Sequence, residues 1–194
     1  ASFDTEAGNI WFERTEHAWA GGKKEFIVDP TTGREVEVMV NRKCQYCGAR
    51  ETEYGRGEDL ETHAYGFIHT DDVDTWLARL FGEKMQFDVV IGNPPYQLND
   101  GGGKGSSASP IYQKFVYQAQ RLEPKFVSLV IPARWYSGGK GLDDFRSAML
   151  GDRRIRYLAD FPDSRDAFTG VDVAGGVCYF LWGRDSAEDC LVET

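Results

Sequence analysis

Two groups of side chains in this chain have types and spacings suited to chemistry, and they lie in different halves. In the carboxyl half, Asn93-Pro94-Pro95-Tyr96 follows Gly92 and the β-branched run Val89-Val90-Ile91. Each proline fixes its own φ and keeps its predecessor out of the helical region, so the run should end in a stiff turn. The run itself predicts a buried strand of a parallel sheet. Open α/β sheets bind their ligands at the carboxyl ends of such strands. There the turn offers one amide side chain, backbone carbonyls without competing proline N–H groups, and the Tyr96 ring. Those parts suit a flat base bearing an exocyclic amine.

In the amino half, Cys44-Gln45-Tyr46-Cys47-Gly48 is a Cys-x2-Cys knuckle, followed by His63 and His69. The glycine suits a tight turn that aims N–H groups at thiolates. The pattern Cys-x2-Cys-x15-His-x5-His sits at the loose edge of zinc spacings. It predicts a structural zinc held by Cys44, Cys47, His63 and His69, with His17 a further candidate. A free thiol pair is the plain alternative. Cys178 falls in a predicted strand and Cys190 in the tail, so neither is expected to join.

The elements that must position these groups change style near residues 82–85. The first part, 1–84, is irregular, with turns at Gly21-Gly22, Asp29-Pro30 and Thr32-Gly33 and an alternating strand at Glu35 to Val40. It ends in an expected helix, Asp71 to Phe81, capped by aspartates. The second part, 85–194, alternates strand and helix. Strands are expected at Phe87 to Ile91, Phe126 to Ile131, Ile155 to Phe161 and Gly176 to Trp182, and helices at Ile111 to Leu122 and Leu142 to Leu150. Glycine-rich loops fall at Asp100 to Ser109 and Gly138 to Gly141. The β-α-β-α-β order points to a mostly parallel sheet with helices on its faces.

At 194 residues and 41% hydrophobic content, with five Trp and twelve Phe, the chain can bury one good core or one domain plus an appendage. No apolar run approaches the roughly 20 residues of a membrane span. The acidic start, Ala1 to Glu6, is unlike a signal peptide, so a cytoplasmic, reducing setting is expected. Net charge is −9, the wrong sign for a chain that binds DNA over its whole surface. The excess is uneven: residues 1–84 carry 17 acidic and 10 basic side chains, residues 85–194 carry 14 and 12. The nearly neutral second part could present a local basic face through Lys140, Arg153, Arg154 and Arg156. A solvated helix end is the plain reading of the same residues.

Phe87 to Gln97, with the segments that follow to about Asp185, resembles the S-adenosylmethionine-dependent N6-adenine DNA methyltransferases of bacterial restriction-modification systems. The resemblance implies the carboxyl-terminal portion of a Rossmann-like methyltransferase sheet; the part ahead of it is expected, from the cysteine and histidine spacing, to be a small irregular insertion stapled by zinc. It implies that the Asn93 side-chain oxygen and the Pro94 carbonyl accept hydrogen bonds from the target amine, with Asn93 and Pro95 bordering the cofactor. Tyr96 would stack on an adenine flipped out of double-stranded DNA. Phe168, in the loop before the last strand, would complete the sandwich; its bland reading is a core anchor. A nuclease or specificity domain, in the same protein or in a partner subunit, belongs to the same expectation.

The cofactor's glycine-rich turn after a first strand is not evident, nor is an acidic residue some twenty positions on. With Ala1 rather than Met at the start, the chain reads as a piece of a longer protein whose cofactor half lies upstream, inactive by itself. Competing readings are a methyltransferase acting on RNA or protein, and a zinc-containing interaction module without catalysis. Neither glycine loop has the P-loop spacing, although Gly138 to Gly141 lies between strand and helix and could bind an anion.

Overall fold

The computed structural model describes residues 17–54, 63–98, 109–170 and 172–194, without the side chains of residues 53, 54 and 63–65. The expected loop from Asp100 therefore lies outside the described residues, save for Ser109. The chain divides into two compact units, with residues 17–54 and 63–71 in the first and the remaining described residues in the second.

The first unit is built from short ladders. β1 (Trp19–Ala20) pairs antiparallel with β4 (Lys43–Cys44), and β2 (Lys23–Val28) with β3 (Glu35–Val40). Asp29 closes the β2–β3 turn, its carboxylate accepting the N–H groups of Thr31 and Thr32 at 2.7 and 3.0 Å. β3 is the expected alternating strand. β2 is exposed along nearly its whole length and lacks the alternation that would announce it. A single helical turn, α1 (Glu51–Tyr54), follows β4, and Arg42 forms an ion pair with Glu51.

The second unit opens with α2 (Val73–Phe81), where the Asp72 carboxylate caps the Thr75 N–H at 3.0 Å and Gly82, with φ of 79°, ends the helix. Its sheet has the order β11-β9-β10-β8-β5. The strands are β5 (Val89–Gly92), β8 (Phe126–Pro132), β9 (Ile155–Phe161), β10 (Val177–Gly183) and β11 (Leu191–Glu193). A short antiparallel pair, β6 (Gln97–Leu98) with β7 (Ser109–Pro110), follows the proline turn. β5 runs parallel to β8, and β9 to β11, while β10 lies antiparallel between β8 and β9. Four strands thus share one direction and β10 is reversed, which makes the sheet mixed. The reversal follows from the link between β9 and β10, which contains a 3-10 turn at Ser164–Asp166 but no crossover helix.

α3 (Tyr112–Arg121) and α4 (Asp143–Gly151) pack on one face of this sheet. Tyr112, Val116 and Ala119 of α3 and Phe145 and Met149 of α4 join Val127, Leu129, Ile131, Cys178, Phe180 and Trp182 in one core. Val90 turns toward that core, so Val89 and Ile91, one residue either side, turn away and are 51% and 75% exposed. The expectation of a fully buried strand fails at β5 for this reason. Among the described residues it is an edge strand covered on one face.

Candidate functional site

Asn93 follows directly on β5, and the 3-10 turn Ala133–Ser137 follows directly on β8. Because β5 and β8 are parallel, both connections leave the same end of the sheet. A cavity of about 450 Å³ opens there, lined by Tyr96 and Gln97, by Tyr112, by Arg134 and Gly138–Lys140, and by Asp172–Ala174. This is the carboxyl end of the parallel strands, where the sequence expectation puts a ligand.

Within the turn, Asn93 is exposed, Pro94 buried, and Pro95 and Tyr96 half-buried. The Tyr96 carbonyl accepts the N–H of Ile111 at 3.1 Å, which anchors the turn to the start of α3. Burial raises the pKa of the Tyr96 hydroxyl, and the Asn93 side chain lies close enough to temper the shift without reaching hydrogen-bond geometry. The Tyr112 hydroxyl is also buried without a hydrogen-bond partner among the described residues, and burial strongly raises its pKa. Two neutral phenols therefore border the cavity with donor and acceptor capacity unspent.

Phe168 is half-buried and does not line this cavity; its N–H bonds to the Ser164 carbonyl at 2.8 Å. The same loop reaches the cavity instead through Asp172, Val173 and Ala174. The Val173 N–H is fixed there by the Ser164 hydroxyl at 2.8 Å.

Of the four basic residues singled out in the sequence, three are engaged elsewhere. Arg154 pairs with Asp152 at 2.7 Å, Arg156 with Glu188 at 2.6 Å, and Arg153 lies 3.6 Å from Asp189. Lys140 lines the cavity, joined by Arg134, which sequence reasoning missed because it lies in a turn with no charge pattern around it. Neither forms an ion pair with a described residue. The glycine loop itself is poorly suited to an anion. The Gly139 N–H already donates to the Asp143 carboxylate at 2.9 Å, and Asp143 and Asp144 occupy the first turn of α4.

In the first unit, His17, Cys44, Cys47 and His69 are all buried, with one ligand atom from each lying within 4.8 Å of the others. Three members of this cluster, Cys44, Cys47 and His69, are among the four expected ligands, and the fourth member is His17, the further candidate; the side chain of His63 lies outside the described residues. Contact with Cys47, then with His17 and His69, holds the Cys44 thiol far below its ordinary pKa against burial that would raise it. His17 precedes Cys44 by 27 residues, so no local spacing could reveal it; the β1–β4 pairing brings the two together.

The family model of the Eco57I restriction-modification methylases matches residues 1–168, and the chain belongs to this family. A Mycoplasma pneumoniae (strain ATCC 29342 / M129 / Subtype 1) protein described as an uncharacterized adenine-specific methylase is 33% identical over 199 residues, covering 100% of this chain and 43% of its own length. The chain thus spans less than half of that relative. A solved structure reported for complex assembly and conformational transition of a type I R-M system covers 58% of this chain and 25% of its own, at 14% identity and a TM-score of 0.41. No described helix is long and apolar enough to cross a membrane.

Proposed function

We propose that the protein carrying this chain methylates the N6 amine of adenine in double-stranded DNA with S-adenosylmethionine, within a restriction-modification system. The observation that carries this reading is the Asn93-Pro94-Pro95-Tyr96 turn, whose Tyr96 lines a cavity of about 450 Å³ at the shared carboxyl end of β5 and β8. The family supports methyl transfer, and the relative's description supports adenine.

S-adenosylmethionine finds only part of a site here. Among the described residues ahead of β5 there is no strand, glycine turn and helix to cradle it. Exposed Asn93 and half-buried Pro95 would border it from one side. When bound, it supplies an electrophilic methyl group. The remaining cofactor contacts belong, on this reading, to the part of the protein outside these residues, and the edge of β5, unpaired among the described residues, gives that part a strand to extend.

The chain's own contribution is to hold and polarise the acceptor. The adenine amine is a weak nucleophile because its lone pair is delocalised into the ring. Hydrogen bonds from its two protons to the Asn93 oxygen and the Pro94 carbonyl would favour a pyramidal nitrogen with a directed lone pair. No strong base is needed for that. The Tyr96 ring would pack against the flipped base, and Arg134 and Lys140 would draw its flanking phosphates to the cavity mouth. Phe168 serves as the second stacking ring only if its loop moves on DNA binding. The full-length protein, supplied with labelled cofactor and with DNA, RNA or protein acceptors in turn, should label adenine N6 in duplex DNA. Label confined to RNA or protein would overturn the assignment.

A further inference from the structure

We propose that His17, Cys44, Cys47 and His69 bind one zinc ion with four protein ligands, and that this ion holds together the strands and turns described in the first unit.

The geometry lies close to what zinc demands. Zn–S bonds of about 2.3 Å and Zn–N bonds of about 2.0–2.1 Å in a tetrahedron set S···N separations of roughly 3.6 Å. The Cys47 Sγ to His17 Nδ1 distance is 3.4 Å and the Cys44 Sγ to His69 Nε2 distance is 3.9 Å. No two ligand atoms in the group are more than 4.8 Å apart, so none needs to close by much more than about 1 Å, within the reach of side-chain rotation. Two thiolates and two imidazoles are the donor set that zinc favours over harder cations.

The backbone is built to hold this arrangement. Cys44 to Gly48 closes into a tight turn: the Gly48 N–H donates to the Cys44 carbonyl and the Cys44 N–H to the Ala49 carbonyl, both at 2.8 Å. Gly48 has φ of +80°, which a residue with a side chain adopts at a cost. The Gln45 N–H donates to the Ala18 carbonyl at 2.9 Å, and Trp19 lies opposite Cys44 in the β1–β4 ladder, so the segment carrying His17 is tied to the knuckle. His69 arrives from the end of the 3-10 turn His63–Ile68. The His17 and His69 rings are 4.6 Å apart.

What else the unit buries decides the ion's role. Apart from the four ligands, its buried side chains among the described residues are Ala49 and Ile68. Phe26, Val28 and Met39 of the β2–β3 hairpin are exposed. Among the described residues, two small ladders with so little apolar burial do not by themselves offset the entropy of ordering them. A zinc ion can, since its binding free energy becomes folding free energy. Four buried protein ligands leave no open position for water or substrate, so the site is structural.

The test uses the full-length protein purified without chelator. Elemental analysis should find one zinc per chain. His17→Ala and Cys47→Ser should lose it, whereas His63→Ala and Cys190→Ser should keep it. His17→Cys should also retain metal, which keeps the test informative if the alanine variant fails to fold. Exchange for cobalt should give the visible spectrum of a tetrahedral ion with two thiolate ligands, and with three in His17→Cys. Less than about 0.2 zinc per chain, a Cys44–Cys47 disulfide in the isolated protein, or loss of metal in His63→Ala but not in His17→Ala would each overturn the proposal. None of these readouts depends on methyl transfer, so the site stands or falls apart from the catalytic reading.

Discussion

The Ile111 N–H donates to the Tyr96 carbonyl at 3.1 Å, so the residue that opens α3 fixes the end of the proline turn through backbone alone. Ile111 is fully buried, and Pro94 is buried on the other side of Tyr96. Asn93 therefore projects from a frame that does not depend on its side chain. Asn93→Ala in the full-length protein should leave the melting temperature unchanged within a degree or two. Methyl transfer should fall by about 10²–10³-fold, the usual loss on deleting one preorganised polar contact. Near-wild-type turnover would remove Asn93 from the mechanism.

Tyr96 separates ring from hydroxyl. Its hydroxyl is buried with no hydrogen-bond partner among the described residues, so Tyr96→Phe should be neutral or stabilising by up to about 1 kcal/mol and should keep activity. Tyr96→Ala should lose stacking of roughly 1–3 kcal/mol, about 5- to 150-fold in activity. A mismatched target adenine, which is easier to extrude, should restore part of that loss. Steady-state kinetics on matched and mismatched duplexes decide the matter: a Tyr96→Phe variant as poor as Tyr96→Ala would assign the work to the hydroxyl.

Arg134 and Lys140 line the cavity without a carboxylate partner among the described residues, whereas Arg154 is already held by Asp152. Arg134→Ala and Lys140→Ala should each weaken DNA binding and lower the slope of log K against log salt by about one. Arg154→Ala should leave that slope unchanged. Fluorescence anisotropy across a salt series reads all three, and equal slopes throughout would place the phosphate contacts elsewhere.

Much of the fold around this site was legible in the sequence. The strands β8, β9 and β10 and the helices α3 and α4 lie within a residue of their expected bounds, because apolar spacing reports a buried face directly. What spacing does not report is the neighbour. Val89-Val90-Ile91 reads as a strand wherever it sits, and only the sheet order makes it an edge with Ile91 exposed. β10 was expected from its composition, but its direction depends on the route taken by residues 162–176. The knuckle at Cys44 and Cys47 is a local signal and was found. His17, named in the sequence only as a further candidate, comes to it by strand pairing, which leaves no mark on spacing.

Asp152 gives the second unit a pH dependence. Its carboxylate accepts hydrogen bonds from Arg154 Nε at 2.7 Å, the Arg154 backbone N–H at 3.0 Å and the Trp182 indole at 3.0 Å. Burial acts to raise its pKa, but these donors together bring it below the ordinary value. A carboxylate depressed in the folded state adds stability above its unfolded pKa of about 3.9 and loses it as pH falls through the folded value. Asp152→Asn should therefore cost about 1–3 kcal/mol at pH 7, as befits hydrogen bonds to a charged group. The gap from wild type should narrow on acidification below about pH 4. Urea midpoints at pH 7 and pH 3 measure it; a constant gap would mean that the charge contributes nothing.

Two glycines near the cavity should respond very differently to one methyl group. A Cβ on Gly176 would collide with the Phe161 carbonyl oxygen and lie 2.9 Å from the Pro162 Cα, on a backbone with φ of +75°. Neither atom belongs to a flexible side chain, so β9 or the loop must move. The Gly176 carbonyl also accepts the Ala133 N–H at 3.1 Å, and its own N–H donates to Val173 at 2.9 Å. A shift here therefore reaches Arg134 and Val173, on two walls of the cavity. Gly141 shares the positive φ, at +80°, but a Cβ there meets nothing within 4 Å. Gly141→Ala should cost about 1 kcal/mol, the left-handed penalty alone. Gly176→Ala should cost about 3 kcal/mol or more, toward the upper end for single substitutions. It should also impair DNA binding under conditions where the variant is still folded. Denaturant unfolding of the two variants, with DNA binding measured below both transitions, would show whether this close approach at the end of β9 holds the cavity open; equal costs would refute it.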